Sequence, residues 1–117
     1  MIYNIQKNIT GSTGNRLLGH HREDNGNTYK VHSCIINNND STTISFDVSL
    51  YDGTNYYKIF KDFRVRTGYT VELFDEAFEY PDKYDLILNL DSVHYNIDWI
   101  SKTEVIEETN QIVDIGL

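Results

Sequence analysis

The sequence predicts an all-β chain: an antiparallel β-sandwich of about seven to eight short strands, Ig-like or jelly-roll-like, with an extended N-terminal loop. Three observations carry this. Apolar and polar residues alternate with period two, most cleanly where Ile44, Phe46, Val48 and Leu50 interleave with Thr43, Ser45, Asp47 and Ser49. Clusters of Gly, Asn and Asp punctuate such segments at roughly the 8–12-residue spacing of sandwiches. No stretch sustains the i, i+3, i+4, i+7 apolar spacing of an amphipathic helix.

Taken in order, residues 2–6 make a short edge strand. Residues 7–28 hold only Ile9, Leu17 and Leu18 as aliphatics among Gly, Ser, Thr and Asn, and are expected to form a long polar loop or arm. Tyr29–Ile36 is β-branched and ends at Asn37-Asn38-Asn39-Asp40-Ser41, residues whose side chains bond nearby backbone and favour turns. After the Ile44–Leu50 strand, Asp52-Gly53-Thr54 is a hairpin turn and Tyr56–Phe60 pairs back. Phe63 and Val65 continue that strand beyond a kink at Lys61-Asp62, and Thr67-Gly68 turns the chain again. Tyr69, Val71 and Leu73 resume the alternation. Phe74–Lys83 reads as a longer connection around the single proline, Pro81. Tyr84, Leu86, Leu88 and Leu90 form the next strand, with Ile87 interrupting its polar side. Asp91-Ser92 turns into a last strand through Val93, Tyr95, Ile97 and Trp99, which places Trp99 in the core. Residues 102–117 read as a C-terminal arm, with a helical turn or two conceivable over 102–110.

The 117 residues fit one domain, 1–117. Hydrophobic residues are 39% and charged residues 24%, a globular balance. The net charge of −8 argues against nucleic acid or an anionic membrane as partner, since both need clustered Lys and Arg. No apolar run is long enough for a transmembrane helix, and the first residues lack the charged and apolar regions of a secretory signal. Cys34 is the only cysteine and lies in an apolar run, so it is expected to be a buried hydrophobe and no internal disulfide is available.

Candidate chemistry is sparse. His20, His21, His32 and His94 lack zinc-ligand spacing, so no metal and no cofactor is expected. Nucleophile-elbow, P-loop and dinucleotide motifs are absent, and an enzyme is not expected. Arg16-Leu17-Leu18-Gly19-His20-His21-Arg22 is a local basic island in an acidic chain, and its two leucines make it a candidate anchor for a protein partner. Glu72, Asp75, Glu76, Glu79, Asp82 and Asp85 form an acidic stretch without calcium-loop spacing. It is expected to be a solvated face that meets a basic partner or the basic island of a neighbouring copy. The interface candidates are therefore Arg16, Leu17, Leu18, His20, His21, Arg22, Glu72, Asp75, Glu76 and Glu79.

The block from His32 to Asp75 carries a resemblance. His32-Ser33-Cys34-Ile35-Ile36-Asn37-Asn38-Asn39-Asp40-Ser41 leads into the alternating strand, then Asp52-Gly53-Thr54-Asn55-Tyr56-Tyr57, Val65-Arg66-Thr67-Gly68 and Val71-Glu72-Leu73-Phe74-Asp75. This resembles small β-sandwich virion structural proteins of tailed bacteriophages, over roughly residues 30–100. The resemblance implies a non-enzymatic head decoration (cement) protein or a head–tail or tail accessory protein. It implies a multi-copy or homo-oligomeric location on the virion, assembled in the host cytoplasm, with capsid or tail proteins as partners. The alternative is a carbohydrate-binding module for host recognition, which calls for a row of solvent-facing aromatics on one sheet.

Overall fold

The computed structural model describes residues 1–10, 14–90 and 96–107. Its strands are β1 (Ile2–Thr10), β2 (Gly14–Leu17), β3 (Thr28–Asn38), β4 (Ile44–Tyr51), β5 (Tyr56–Val65), β6 (Thr70–Glu72), β7 (Phe78–Pro81), β8 (Asp85–Leu90) and β9 (Asn96–Ile106). One sheet runs β1-β9-β3-β6, with β7 also on β3; the other runs β2-β8-β4-β5. All of the ladders are antiparallel.

The pairing is nested. β1 pairs β9, β2 pairs β8, β3 pairs β7 and β6, and β4 pairs β5. β9 follows β3 along its length, so β6 and β7 share the opposite edge of β3 and behave as one interrupted strand. A long antiparallel ribbon rolled so that successive pairs fall in opposite sheets is a jelly roll. The strand order thus decides between the two expected topologies, since Ig sheets do not nest in this way.

The alternation buries what it predicts. Ile44, Phe46 and Val48 of β4, Leu86 and Leu88 of β8 and Ile97 and Trp99 of β9 are all 0% exposed. Ile87, which interrupts the polar side of β8, faces outward but is the register partner of Leu17 and Ser49 and stays 8% exposed. The Asn37–Ser41 turn is built around the buried Asn38 side chain. Its Nδ2 donates to the Thr42 and Val65 carbonyls, each at 2.9 Å, and its Oδ1 accepts the Asp40 N–H at 2.9 Å. The kink at Lys61-Asp62 is a bulge: Asp62 has φ 54°, and the β4–β5 register shifts on both sides of Val48.

Two expectations about arms change. Residues 7–28 are not one loop: β1 continues to Thr10 and β2 occupies Gly14–Leu17. β1 is an edge strand, so its outward side chains past Ile2 are polar, and even inward Lys7 lies at the rim, 5.6 Å over the Trp99 ring. An inward lysine on an edge blunts pairing with other chains, and it also hides the strand from an apolar-pattern reading. Residues 102–106 are likewise strand rather than arm or helical turn. Inward Ser101 and Thr103 are buried but break the apolar period there. The rest of the expected C-terminal arm, from residue 108, and the Asp91-Ser92 turn lie outside the described residues. The Phe74–Lys83 connection contains β7, whose edge position tolerates Pro81 at its end.

Candidate functional site

The basic island does not project as an anchor. Leu18 is fully buried, its N–H donating to the Leu86 carbonyl at 2.8 Å and its own carbonyl accepting from Ser101 Oγ at 2.8 Å. Arg16 and Leu17 are half-buried in β2, paired with Leu88 and Ile87. His20 packs between Tyr3 and Tyr29, with ring centroids at 4.3 and 5.2 Å. The Tyr29 hydroxyl sits 2.8 Å from the His21 carbonyl and 3.2 Å from Glu23 Oε1. Burial, then the Glu23 carboxylate, pushes the Tyr29 pKa upward, so it remains a neutral donor.

Arg22 is held by Asp85, which is 4% exposed. The Arg22 N–H donates to Asp85 Oδ1 at 2.6 Å and Nη1 to Oδ2 at 2.7 Å, while His21 Nδ1 lies 2.9 Å from Oδ1. The guanidinium sits 5.3 Å over the Tyr51 ring. Gly53 is required beside it: its φ is +104°, and a Cβ there would come within 3.0 Å of Arg22 Nη2. Asp82, 2% exposed, accepts the Asn25 N–H on its carboxylate at 3.0 Å and the Glu23 N–H on its carbonyl at 2.8 Å. Asp82 and Asp85 are therefore not part of a solvated face. They are the buried posts around which residues 19–27 fold, and the basic island meets the acidic stretch within one chain.

This arrangement fixes one end of the sandwich and presents tyrosine there. Tyr51 and Tyr56 stack at 4.3 Å across the β4–β5 hairpin, and Tyr57 meets Tyr84 edge-on at 6.1 Å. Lys83 Nζ lies 5.3 Å over Tyr84. Asp52 closes the turn by accepting the Thr54 and Asn55 N–H groups at 2.8 and 2.7 Å. Tyr56 and Tyr57 remain 48% and 50% exposed, beside a cleft lined by Arg22, Glu23, Asp24, Asp52, Thr54 and Lys83. Rigid Tyr rings with Arg22 close by have the composition of interface hot spots. Exposed tyrosines in general are expected to make contacts, but Tyr56 and Tyr57 are not among the interface candidates read from the sequence. The available signal was Tyr56-Tyr57 directly after a hairpin turn, because a period-two strand turns adjacent side chains to opposite faces.

The acidic candidates divide. Glu72 fills the gap between β6 and β7, where the ladder to β3 is interrupted. Its Oε2 accepts the Cys34 N–H at 2.7 Å, in place of a strand carbonyl, so its role is structural despite its exposure. Glu72→Ala should lower the unfolding free energy by about 1–3 kcal/mol, the cost of orphaning a buried donor, and Glu72→Gln by much less. Urea titration of both variants measures this; equal losses would contradict it. Asp75, Glu76 and Glu79 are exposed.

Among the described residues, no group of three His, Cys, Asp or Glu is placed to hold a metal ion. His32 instead bonds Glu104 at 2.8 Å, and His94 lies outside the described residues. Cys34 is fully buried, and burial, with Glu72 adding, pushes its thiol up to about 12. It is not a thiolate near neutral pH.

Several surface carboxylates have pKa values held below the usual range. Asp98 accepts from Asn8 at 2.7 Å and Asn39 at 2.8 Å across β1, β9 and β3, Asp47 accepts the Asp62 N–H at 2.8 Å, Asp62 accepts from Ser45 at 2.6 Å, and Glu104 is bonded by His32. A carboxylate with a depressed folded pKa contributes stability that is complete above its unfolded value, about 4, and is lost as pH falls through the folded value. The urea midpoint should thus hold from pH 7 to 5 as far as these groups decide it and fall below about pH 4. A midpoint that rises on acidification below pH 4 would contradict their role.

No protein-family model matches the chain, and no curated protein matches it. A solved structure does: a chain reported under the words "Bacillus endospore appendages form a novel family of disulfide-linked pili" superimposes with a TM-score of 0.59 at 12% identity, over 93% of this chain and 88% of that one. At that identity the likeness is one of fold.

Proposed function

We propose that this protein is a non-enzymatic structural subunit that works by protein–protein contact in a multi-copy assembly, with the tyrosine-rich end as its contact surface. The observation carrying this reading is the half-exposed Tyr56–Tyr57 pair, held on a scaffold of Arg22, Asp85, Tyr51 and Gly53 rather than on a loose loop. Pre-organised aromatics lose little conformational entropy on binding. The fold is compatible, since jelly rolls serve in capsids, although fold alone does not assign function. The pilus-forming neighbour supports polymeric assembly in general. The His32–Asp75 resemblance directs the finer reading to a tailed-phage particle, as a head decoration or a head–tail or tail accessory protein on the virion.

The only cysteine of this sequence is buried, so contacts between copies are non-covalent as far as Cys34 is concerned. The carbohydrate alternative has less support. Trp99 is in the core, and exposed Tyr56 and Tyr57 alternate along β5, with Tyr69 beyond its far end. They do not form a row on one sheet face.

The test is incorporation. Tyr56→Ser combined with Tyr57→Ser should leave the circular dichroism spectrum unchanged and reduce incorporation into purified particles by about tenfold or more. Unchanged incorporation would refute the tyrosine end as the contact.

A further inference from the structure

β5, the edge of one sheet, and β6–β7, the edge of the other, lie along the same side of the sandwich. Phe60 and Phe74 join them, with ring centroids 5.7 Å apart. Phe63 adds to the first edge at 5.6 Å from Phe60, and Phe78 stacks on Phe74 at 4.9 Å. Phe74 is buried, but Phe60, Phe63 and Phe78 are only half-buried, so the side is closed by an aromatic seam that still meets solvent.

Charge of opposite sign flanks this seam. Lys61 and Arg64 follow Phe60 and Phe63 on β5, and Arg66 follows its end; all three are exposed. Asp75 and Glu76 follow Phe74, and Glu79 follows Phe78; these too are exposed. Arg64 pairs with Asp62 at 3.1 Å on the surface. Lys61, Arg66, Asp75, Glu76 and Glu79 make no ion pair with any described residue. The Asp62 bulge twists β5 and disfavours continuous edge-to-edge strand pairing, so this side favours a closed side-chain contact over an open ladder.

We propose that this side is a self-complementary interface with a second copy of the chain. It deepens the structural-subunit reading and rests on it. A two-fold axis parallel to the seam lays each copy's basic β5 edge on the other's acidic β6–β7 edge, with the aromatic seams in contact. An axis across the seam would oppose like charges, so the charge pattern selects one arrangement. Asp75, Glu76 and Glu79 thereby find a basic neighbour, and it is β5 rather than the island at residues 16–22.

Sedimentation equilibrium of the full chain tests this with two charge-reversed variants, Lys61→Glu with Arg66→Glu, and Glu76→Lys with Glu79→Lys. The unmodified chain should self-associate. Each variant alone should dimerise more weakly by about tenfold or more, and an equimolar mixture of the two should recover dimer, because one then carries two acidic edges and the other two basic ones. An unmodified chain that stays monomeric at about 100 μM, a range in which weak contacts still populate complexes, overturns the proposal. So does a mixture that associates no better than its components. Neither outcome touches the tyrosine end, which particle incorporation reads separately.

Discussion

Asp85→Ala is expected to lower the unfolding free energy by about 3 kcal/mol, the lower end of the range for breaking a buried ion pair. The lower end applies because the Arg22 side chain is 32% exposed and partly resolvates, whereas the Asp85 side chain is only 5% exposed. The substitution removes the acceptor of the Arg22 N–H, of its guanidinium and of the His21 contact together. Residues 19–27 should then detach from β8 before the rest of the fold opens. Hydrogen exchange should show lost protection at Leu18, Glu23 and Asn25, whose N–H groups are bonded in this region. Asp85→Asn should cost less, because it still offers an oxygen to one donor. Loss of protection spread evenly over both sheets would contradict the local role.

Trp99→Ala is expected to cost about 3–5 kcal/mol, the usual loss for a large buried aromatic. Trp99 is 0% exposed in β9, between its register partners Lys7 and Ile36. Against a typical total of about 5–15 kcal/mol, that leaves a marginal or unfolded chain. Trp99→Phe should cost far less than the alanine change. The indole Nε1 has no partner among the described residues, so the ring substitution removes an unsatisfied donor along with some volume. Urea unfolding followed by circular dichroism measures both, since the only tryptophan is also the natural fluorophore. A loss below about 1 kcal/mol for the alanine variant would mean that the core is not packed around this ring.

The strands that face a dry core on one side were legible. Ile44–Tyr51, Tyr56–Val65 with its bulge, and Asp85–Leu90 appear close to where the alternation places them. What stayed hidden was strand held by partners instead of by pattern. β1 past residue 6, β2 and the end of β9 are polar because they lie at an edge or a rim, and their register comes from long-range ladders. The site was legible only in part. The island at 16–22 and the acids at 72–85 both look charged and soluble in the sequence, but Leu18, Asp82 and Asp85 are buried, and only the three-dimensional pairing of Arg22 with Asp85 shows it. A local charge pattern does not reveal whether two opposite clusters meet within a chain or between chains. Here the first pair meets within it, which leaves the tyrosines exposed at one end and the charged seam on one side.

The most direct test of the structural-subunit account is sedimentation of the purified chain, alone and mixed with assembled capsids or tails. The account predicts that the chain moves with the particle at a fixed stoichiometry matching the particle's symmetry, and that Tyr56→Ser with Tyr57→Ser leaves it at the top of the gradient. An unmodified chain that stays at the top of the gradient, as monomer or dimer, in the presence of every assembled particle component would contradict it.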